Sequence, residues 1–201
     1  MNSLYDFIVE PIGEKYSNTV KVDNKDLIIN TKIENWIFVN RLARVIKKPL
    51  AFNMGIEEGD MVVIHQNVFR TFYDMKGNKK KSRSYFKDNF YFCSLDQVYL
   101  YKNNTGWNTV GDRCFIKPIK NRSFMASEIT EPLIGIVKYD NTVLNDLGIT
   151  NGMIVGFKPD SEFEFVVDGE LLYCMKSNNI VIKHEYQGDE EEYNPSWASS
   201  S

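Results

Sequence analysis

The sequence predicts an all-β protein, and three observations predict it. Runs of four to eight β-branched and aromatic residues recur along the chain and end at Gly, Asn, Asp or Pro. Almost no stretch repeats apolar residues at i, i+3, i+4 and i+7 for long enough to make an amphipathic helix. The same ordered set of apolar runs occurs twice. Many short strands leave many edges, and closure hides edges, so the expected architecture is two small β-barrels in tandem.

In the first copy the candidate strands are residues 7–11, 36–46, 61–66, 68–73, 85–93 and 98–102. The first, Phe7-Ile8-Val9-Glu10, is stopped by Pro11, and Met61-Val62-Val63-Ile64 follows the turn signal Gly59-Asp60. Residues 68–73 and 85–93 are rich in aromatics and flank the turn-like Lys76-Gly77-Asn78. In the second copy the candidates are 113–118, 133–138, 154–158, 162–167, 170–175 and 180–184, built from the same residue types.

Three landmarks align the copies. Phe7-Ile8-Val9-Glu10-Pro11-Ile12 reads like Cys114-Phe115-Ile116-Lys117-Pro118-Ile119, and Gly55-Ile56 through Ile64 reads like Gly148-Ile149 through Phe157. Tyr91-Phe92-Cys93 leading into Val98-Tyr99-Leu100 reads like Tyr173-Cys174-Met175 leading into Ile180-Val181-Ile182. The prolines Pro11 and Pro118 lie 107 positions apart, the glycines Gly55 and Gly148 93, and the tyrosines Tyr91 and Tyr173 82. The first copy therefore carries 14 extra residues between Pro11 and Gly55, and 11 more between Gly55 and Tyr91. Loop-closure entropy grows only logarithmically with length, so such insertions cost a barrel little and can be kept for function. The polar stretch Lys102-Asn103-Asn104-Thr105-Gly106 marks the boundary, giving units 1–103 and 104–186 and an acidic, polar tail 187–201.

Composition narrows the class. Of 201 residues, 43% are hydrophobic and 25% charged, which suits a globular chain rather than a disordered or collagen-like one. Apolar runs such as Met61-Val62-Val63-Ile64 fall far short of the ~20 residues that cross a bilayer as a helix, so no membrane partner is expected. The opening Met1-Asn2-Ser3-Leu4-Tyr5-Asp6 has no basic stretch before an apolar core, so a cytoplasmic location is expected. Cys93, Cys114 and Cys174 are odd in number and stand alone in apolar runs, which reads as reduced, buried thiols. His65 and His184 are far apart and no Cys-x-x-Cys occurs, so neither a metal nor another cofactor is expected. The net charge of −3 argues against a nucleic-acid footprint over the whole protein and leaves local basic patches to consider.

Each copy resembles the GroES-type co-chaperonin (chaperonin-10) unit. That family opens with an Asp-Arg-Val-x-Val-like strand, to which Gly111-Asp112-Arg113-Cys114-Phe115-Ile116-Lys117 is similar. It continues with a mobile loop, then a Gly-x-Val-x-x-Val-like strand resembled by Leu42-Ala43-Arg44-Val45-Ile46 and by Ile134-Gly135-Ile136-Val137. Its Val-Gly-Asp-x-Val strand is similar to Glu58-Gly59-Asp60-Met61-Val62, and its closing strand pair to 91–101 and 173–184. The resemblance implies two tandem GroES-like barrels, without enzymatic activity, that assemble as a homo-oligomeric ring, cap an ATP-driven GroEL-type chaperonin and act on unfolded clients indirectly. Tandem units are known among plastid co-chaperonins, and the Lys- and Asn-heavy composition fits an AT-rich genome such as a virus, for which the location would be the host cytoplasm.

The candidate partner-binding site follows from the first insertion, residues 13–34. It is mostly polar but holds one compact apolar triplet, Leu27, Ile28 and Ile29. A flexible loop with a small hydrophobic tip can dock in an apolar groove, where burial supplies affinity and ordering entropy keeps binding reversible. The family's mobile loop carries an aliphatic triplet of this kind, and the resemblance assigns chaperonin binding to these three residues. The Gly-Gly that usually precedes it is replaced by Lys25-Asp26. The competing reading makes residues 20–31 an ordinary hairpin with the triplet in the core. The second copy's loop, 120–131, is shorter and is not expected to bind.

Other features have plain readings. The basic hairpin 74–87, with Lys76, Lys79, Lys80, Lys81 and Arg83, can meet phosphate while Phe69, Phe72, Tyr73, Tyr85 and Phe86 stack on bases, but overall acidity favours a solvated tip. No nucleophile motif, phosphate loop or carboxylate pair points to catalysis, and no catalytic residue is assigned. The tail reads as disordered or weakly docked, with Trp197 packed on a partner or on its own barrel. The alternative function is a non-enzymatic structural or adaptor protein, such as a virion component built from paired barrels.

Overall fold

The computed structural model describes residues 2–16, 19–22, 25–28, 39–121, 129–185 and 190–199, of which 19–22 and 25–28 are described through the backbone. The chain divides into two compact units, Met1–Trp107 and Asn108–Ser201. The first holds β1 (Phe7–Pro11), β2 (Thr19–Val22), β3 (Lys25–Ile28), β4 (Leu42–Lys47), β5 (Met61–Ile64), β6 (Phe72–Tyr73), β7 (Lys79–Lys80), β8 (Tyr85–Lys87), β9 (Phe90–Cys93) and β10 (Val98–Asn103). Strand β11 (Gly106–Thr109) crosses the division. The second holds β12 (Arg113–Lys120), β13 (Thr130–Tyr139), β14 (Ile154–Phe157), β15 (Phe163–Val167), β16 (Glu170–Lys176) and β17 (Ile180–Lys183), with short helices α1 (Thr142–Asp146) and α2 (Ser196–Ser199). The class is all-β.

The two units repeat one strand order. The large sheet of the first runs β11-β10-β5-β4-β1-β9-β8, and that of the second β17-β14-β13-β12-β16-β15. Removing β11 superposes the lists. The likeness extends to single residue pairs: Phe7↔Cys93, Ile8↔Phe92 and Val9↔Tyr91 recur as Cys114↔Met175, Phe115↔Cys174 and Ile116↔Tyr173. Even the irregularities recur, with a register shift at Ile8/Val9 in one unit and at Phe115/Ile116 in the other. A bulge adds twist and re-aims the strand, so sharing it means sharing the local geometry as well as the pairing.

Neither large sheet closes on itself among the described residues, which corrects the expectation of closed barrels. Edges are handled in other ways. In the first unit β11 runs beside β10, so β10 is not an edge. Its counterpart β17 is an edge strand, with Val181 53% and Ile182 52% exposed.

Apolar strand faces build the cores. In the first unit Phe7, Val9, Val45, Ile64, Cys93 and Leu100 are buried, and Phe69 meets Tyr91 edge to face at 4.9 Å between ring centres. In the second unit Cys114, Ile116, Val137, Leu144, Val155, Phe157 and Met175 form one buried cluster. Phe115, alternate to these on β12, points the other way and packs against Phe165.

Three local expectations change. Residues 68–73 do not form one strand: His65 accepts a hydrogen bond from the Asn67 amide at 3.1 Å and starts a 3-10 turn over Gln66–Val68. A side chain that satisfies a free backbone donor here outweighs the β propensity of the aromatics. Residues 85–93 fold back on themselves as β8 and β9, with Asp88 at φ 50° in the turn, a conformation that Asp tolerates better than most residues. Helix α1, absent from the sequence reading, is capped by Asn141, which accepts from the Leu144 amide and donates to the Arg113 carbonyl and to Ser177 Oγ.

Residues 190–199 dock on the second unit, so for them the disordered alternative does not hold. The Lys120 amide donates to the Glu191 carbonyl and the Tyr193 amide to the Pro118 carbonyl, each at 2.8 Å. Asn194 accepts from the Leu171 amide and donates to the Gly169 carbonyl, both at 2.9 Å. Ala198 is wholly buried, and Trp197 is about half exposed. Beneath this strap, buried Lys117 lies 3.2 Å from a Glu170 carboxylate oxygen and 3.9 Å from one of Glu192.

Candidate partner-binding hairpin

The first insertion leaves the large sheet after Pro11 and rejoins it at Leu42. Its stem is held by one side chain. Asn40 Nδ2 donates to the carbonyls of Ile12 at 2.7 Å and Glu14 at 2.9 Å, while its Oδ1 accepts from the Leu42 amide at 2.8 Å. The Ile12 amide donates to the Leu42 carbonyl and the Asn40 amide to the Lys15 carbonyl. Tyr16 bridges to buried Val39, and its hydroxyl accepts from the Thr71 amide. Lys15 Nζ lies 5.0 Å from the centre of the Tyr91 ring, a cation-π contact that ties the stem to β9. Satisfied backbone groups on both arms fix where the insertion starts and ends.

Beyond the stem, β2 and β3 pair antiparallel in a two-stranded sheet of their own, joined among the described residues to neither large sheet. The described backbone, residues 19–22 and 25–28, is thus a two-stranded antiparallel ribbon. Leu27 pairs with Val20 and Ile28 with Thr19. Ile29, the third member of the triplet, lies outside the described residues. In the second unit the corresponding connection is shorter: β12 and β13 stay paired out to Lys120↔Thr130, and the Asn121 amide donates to the Ile129 carbonyl.

Burial pushes the Cys114 thiol up to about 12 and the Cys93 thiol further still, so both behave as small apolar groups. Cys174 is buried as well. Among the described residues no cluster of three or more His, Cys, Asp or Glu could hold a metal ion, and no helix is long and apolar enough to cross a membrane. The sequence reading missed Asn40, the residue that shapes the stem. A lone Asn has no periodic signature, and its role appears only when residues 12 and 42 become neighbours.

No family model matches the chain, and no curated protein matches it.

Proposed function

We propose that the protein is a co-chaperonin: a non-catalytic, ring-forming cap made of two GroES-like units that binds a GroEL-type chaperonin through Leu27, Ile28 and Ile29. The observation that supports this best is the placement of the triplet's hairpin. Two units share one strand order down to single pairs, and in one of them a long insertion, clamped at its root by Asn40, carries a hairpin independent of the large sheet. A scaffold that holds a root firmly and, among the described residues, leaves the ribbon beyond it outside the large sheets offers that ribbon to a partner, with Leu27 and Ile28 on β3 toward the end away from its turn.

Magnitudes suit a reversible cap. Burying three aliphatic side chains is worth ~5–9 kcal/mol, and ordering the loop offsets much of it, so one arm binds weakly. Several arms on a ring bind firmly through effective concentration. The open edge of β17, with exposed Val181 and Ile182, is a surface on which such a ring can assemble. In this reading the protein works in the cytoplasm beside its chaperonin, and clients meet it only inside the closed complex.

The test is chaperonin-dependent refolding with Ile28→Asp. The expected result is loss of capping with an unchanged circular dichroism spectrum. Retained capping by that folded variant refutes the site. Failure of the unaltered protein to support refolding with any chaperonin, or to bind one with ATP, refutes the function and favours the structural or adaptor reading.

A further inference from the structure

The second insertion concentrates charge in a way the framework does not require. Residues 72–88 contain six basic side chains, Lys76, Lys79, Lys80, Lys81, Arg83 and Lys87, against the two acids Asp74 and Asp88. That segment carries +4 while the rest of a chain with net charge −3 carries −7. Lys76, Lys79, Lys80, Lys81, Arg83 and Lys87 are all exposed. The second unit joins β14 to β15 with Lys158-Pro159-Asp160-Ser161-Glu162, one base and two acids, so the shared fold tolerates the opposite sign there.

Register places rings beside these cations. Across β6 and β7, Phe72 pairs with Lys80 and Tyr73 with Lys79. Directly opposed residues of an antiparallel pair project to the same face, so each face of the ribbon presents one ring and one ammonium side by side. Phe72 is 40% and Tyr73 39% exposed, so both rings reach solvent beside the lysines. Lys81 Nζ stands 3.6 Å from the centre of the Tyr85 ring, repeating the ring-and-cation arrangement on the returning arm.

The ribbon is also built to hold its shape. Asp74 accepts hydrogen bonds from the amides of Lys76 and Asn78 and from Asn78 Nδ2, which spends its carboxylate on the turn. Lys80 Nζ lies 3.6 Å from the same carboxylate. Ser82 Oγ donates to the Val68 carbonyl at 2.6 Å and pins the returning arm to the body of the unit.

From this juxtaposition we propose that the β6–β7 ribbon and its return arm bind single-stranded nucleic acid, with the lysines meeting phosphates and Phe72 and Tyr73 stacking on bases. Charge complementarity selects a polyanion, and the exposed rings select one with accessible flat faces. An acidic protein surface would use the lysines and leave the rings idle. A duplex keeps its bases stacked on each other and offers the rings nothing.

The proposal stands apart from the capping function, and neither outcome for one decides the other. It is tested on the full chain by fluorescence anisotropy with a labelled oligothymidylate, its duplex with oligoadenylate, and polyglutamate as competitor. Expected is binding at low salt whose log K falls linearly with log salt, by about 0.7 per phosphate neutralised. Lys79→Glu/Lys80→Glu/Lys81→Glu abolishes it. Phe72→Ala/Tyr73→Ala weakens it by roughly 5- to 100-fold while leaving the salt slope unchanged. Circular dichroism of both variants shows that the β-structure is retained. No binding at low salt, full affinity in the charge-reversed variant, or equal preference for duplex or polyglutamate overturns the proposal.

Discussion

Gly135 of β13 lies so close over Ile116 of β12 that a Cβ on it would stand 2.5 Å from Ile116 Cγ2 and 2.6 Å from the Lys117 carbonyl oxygen. Gly135 pairs with Pro118, as Ala43 pairs with Pro11 in the first unit. The two units thus keep the same register while differing in how tightly their central strands approach. In the second, the approach depends on a missing methyl group.

Gly135→Ala is therefore expected to destabilise the second unit by about 1–3 kcal/mol, the usual cost of overpacking a site, here one closed by a buried Ile116 methyl and by the Lys117 backbone carbonyl, which cannot swing aside. Denaturant unfolding followed by circular dichroism measures it. An unchanged midpoint contradicts the close approach.

Asn194 holds the C-terminal strap by satisfying two backbone groups of the β15–β16 turn region. Asn194→Ala leaves the Leu171 amide and the Gly169 carbonyl to find water, at a cost of about 1–2 kcal/mol. Hydrogen exchange is expected to show faster exchange at Leu171 and Tyr193, with core strands such as β12 unaffected. Unchanged exchange at Leu171 means the strap is not held this way.

The Glu170 carboxyl gives the second unit an acid limit. Burial works to raise its pKa, but hydrogen bonds from Lys138 and Lys117, together with their charges, outweigh this and hold it below the ordinary 4.5. A carboxyl lowered in the folded state adds stability that is present above its unfolded pKa and lost as pH falls through the folded one. Melting temperature is expected to fall on acidification below pH 4.5, and the fall should be shallower in Glu170→Gln. A Glu170→Gln variant with an unaltered acid profile sinks the assignment.

The cysteines supply a check on the cores. With Cys93, Cys114 and Cys174 buried and the Cys114 thiol pushed up to about 12, a thiol reagent at neutral pH should modify the native protein slowly and the urea-unfolded protein fully. Rapid native labelling would place a thiol outside the cores.

The duplication was legible in sequence because strands buried on their apolar faces write their pairing partners into short patterns. The runs around Pro11 and Pro118 and around Tyr91 and Tyr173 mark strands that pair in identical register. What stayed hidden depends on single polar side chains whose partners are distant in the chain. Asn40 clamping residues 12 and 42, Asn141 joining residues 113, 144 and 177, and Asn194 reaching residues 169 and 171 leave no periodic trace. Closure is hidden from the sequence for a related reason. Whether an edge is covered by a wrap-around ladder or by an added strand such as β11 depends on the path of a connection, which side-chain alternation does not encode. The triplet Leu27, Ile28 and Ile29 could be noticed as an apolar island and a hairpin was one of two readings for its segment, yet the pairing of Leu27 and Ile28 in a separate two-stranded sheet needed the backbone.

Native mass measurement of the purified chain, alone and with a GroEL-type chaperonin in the presence and absence of ATP, tests the central claim most directly. The account predicts a closed oligomer that joins the chaperonin only when nucleotide is bound and that fails to join when it carries Ile28→Asp. A single-chain mass that stays unchanged when chaperonin and ATP are added contradicts it.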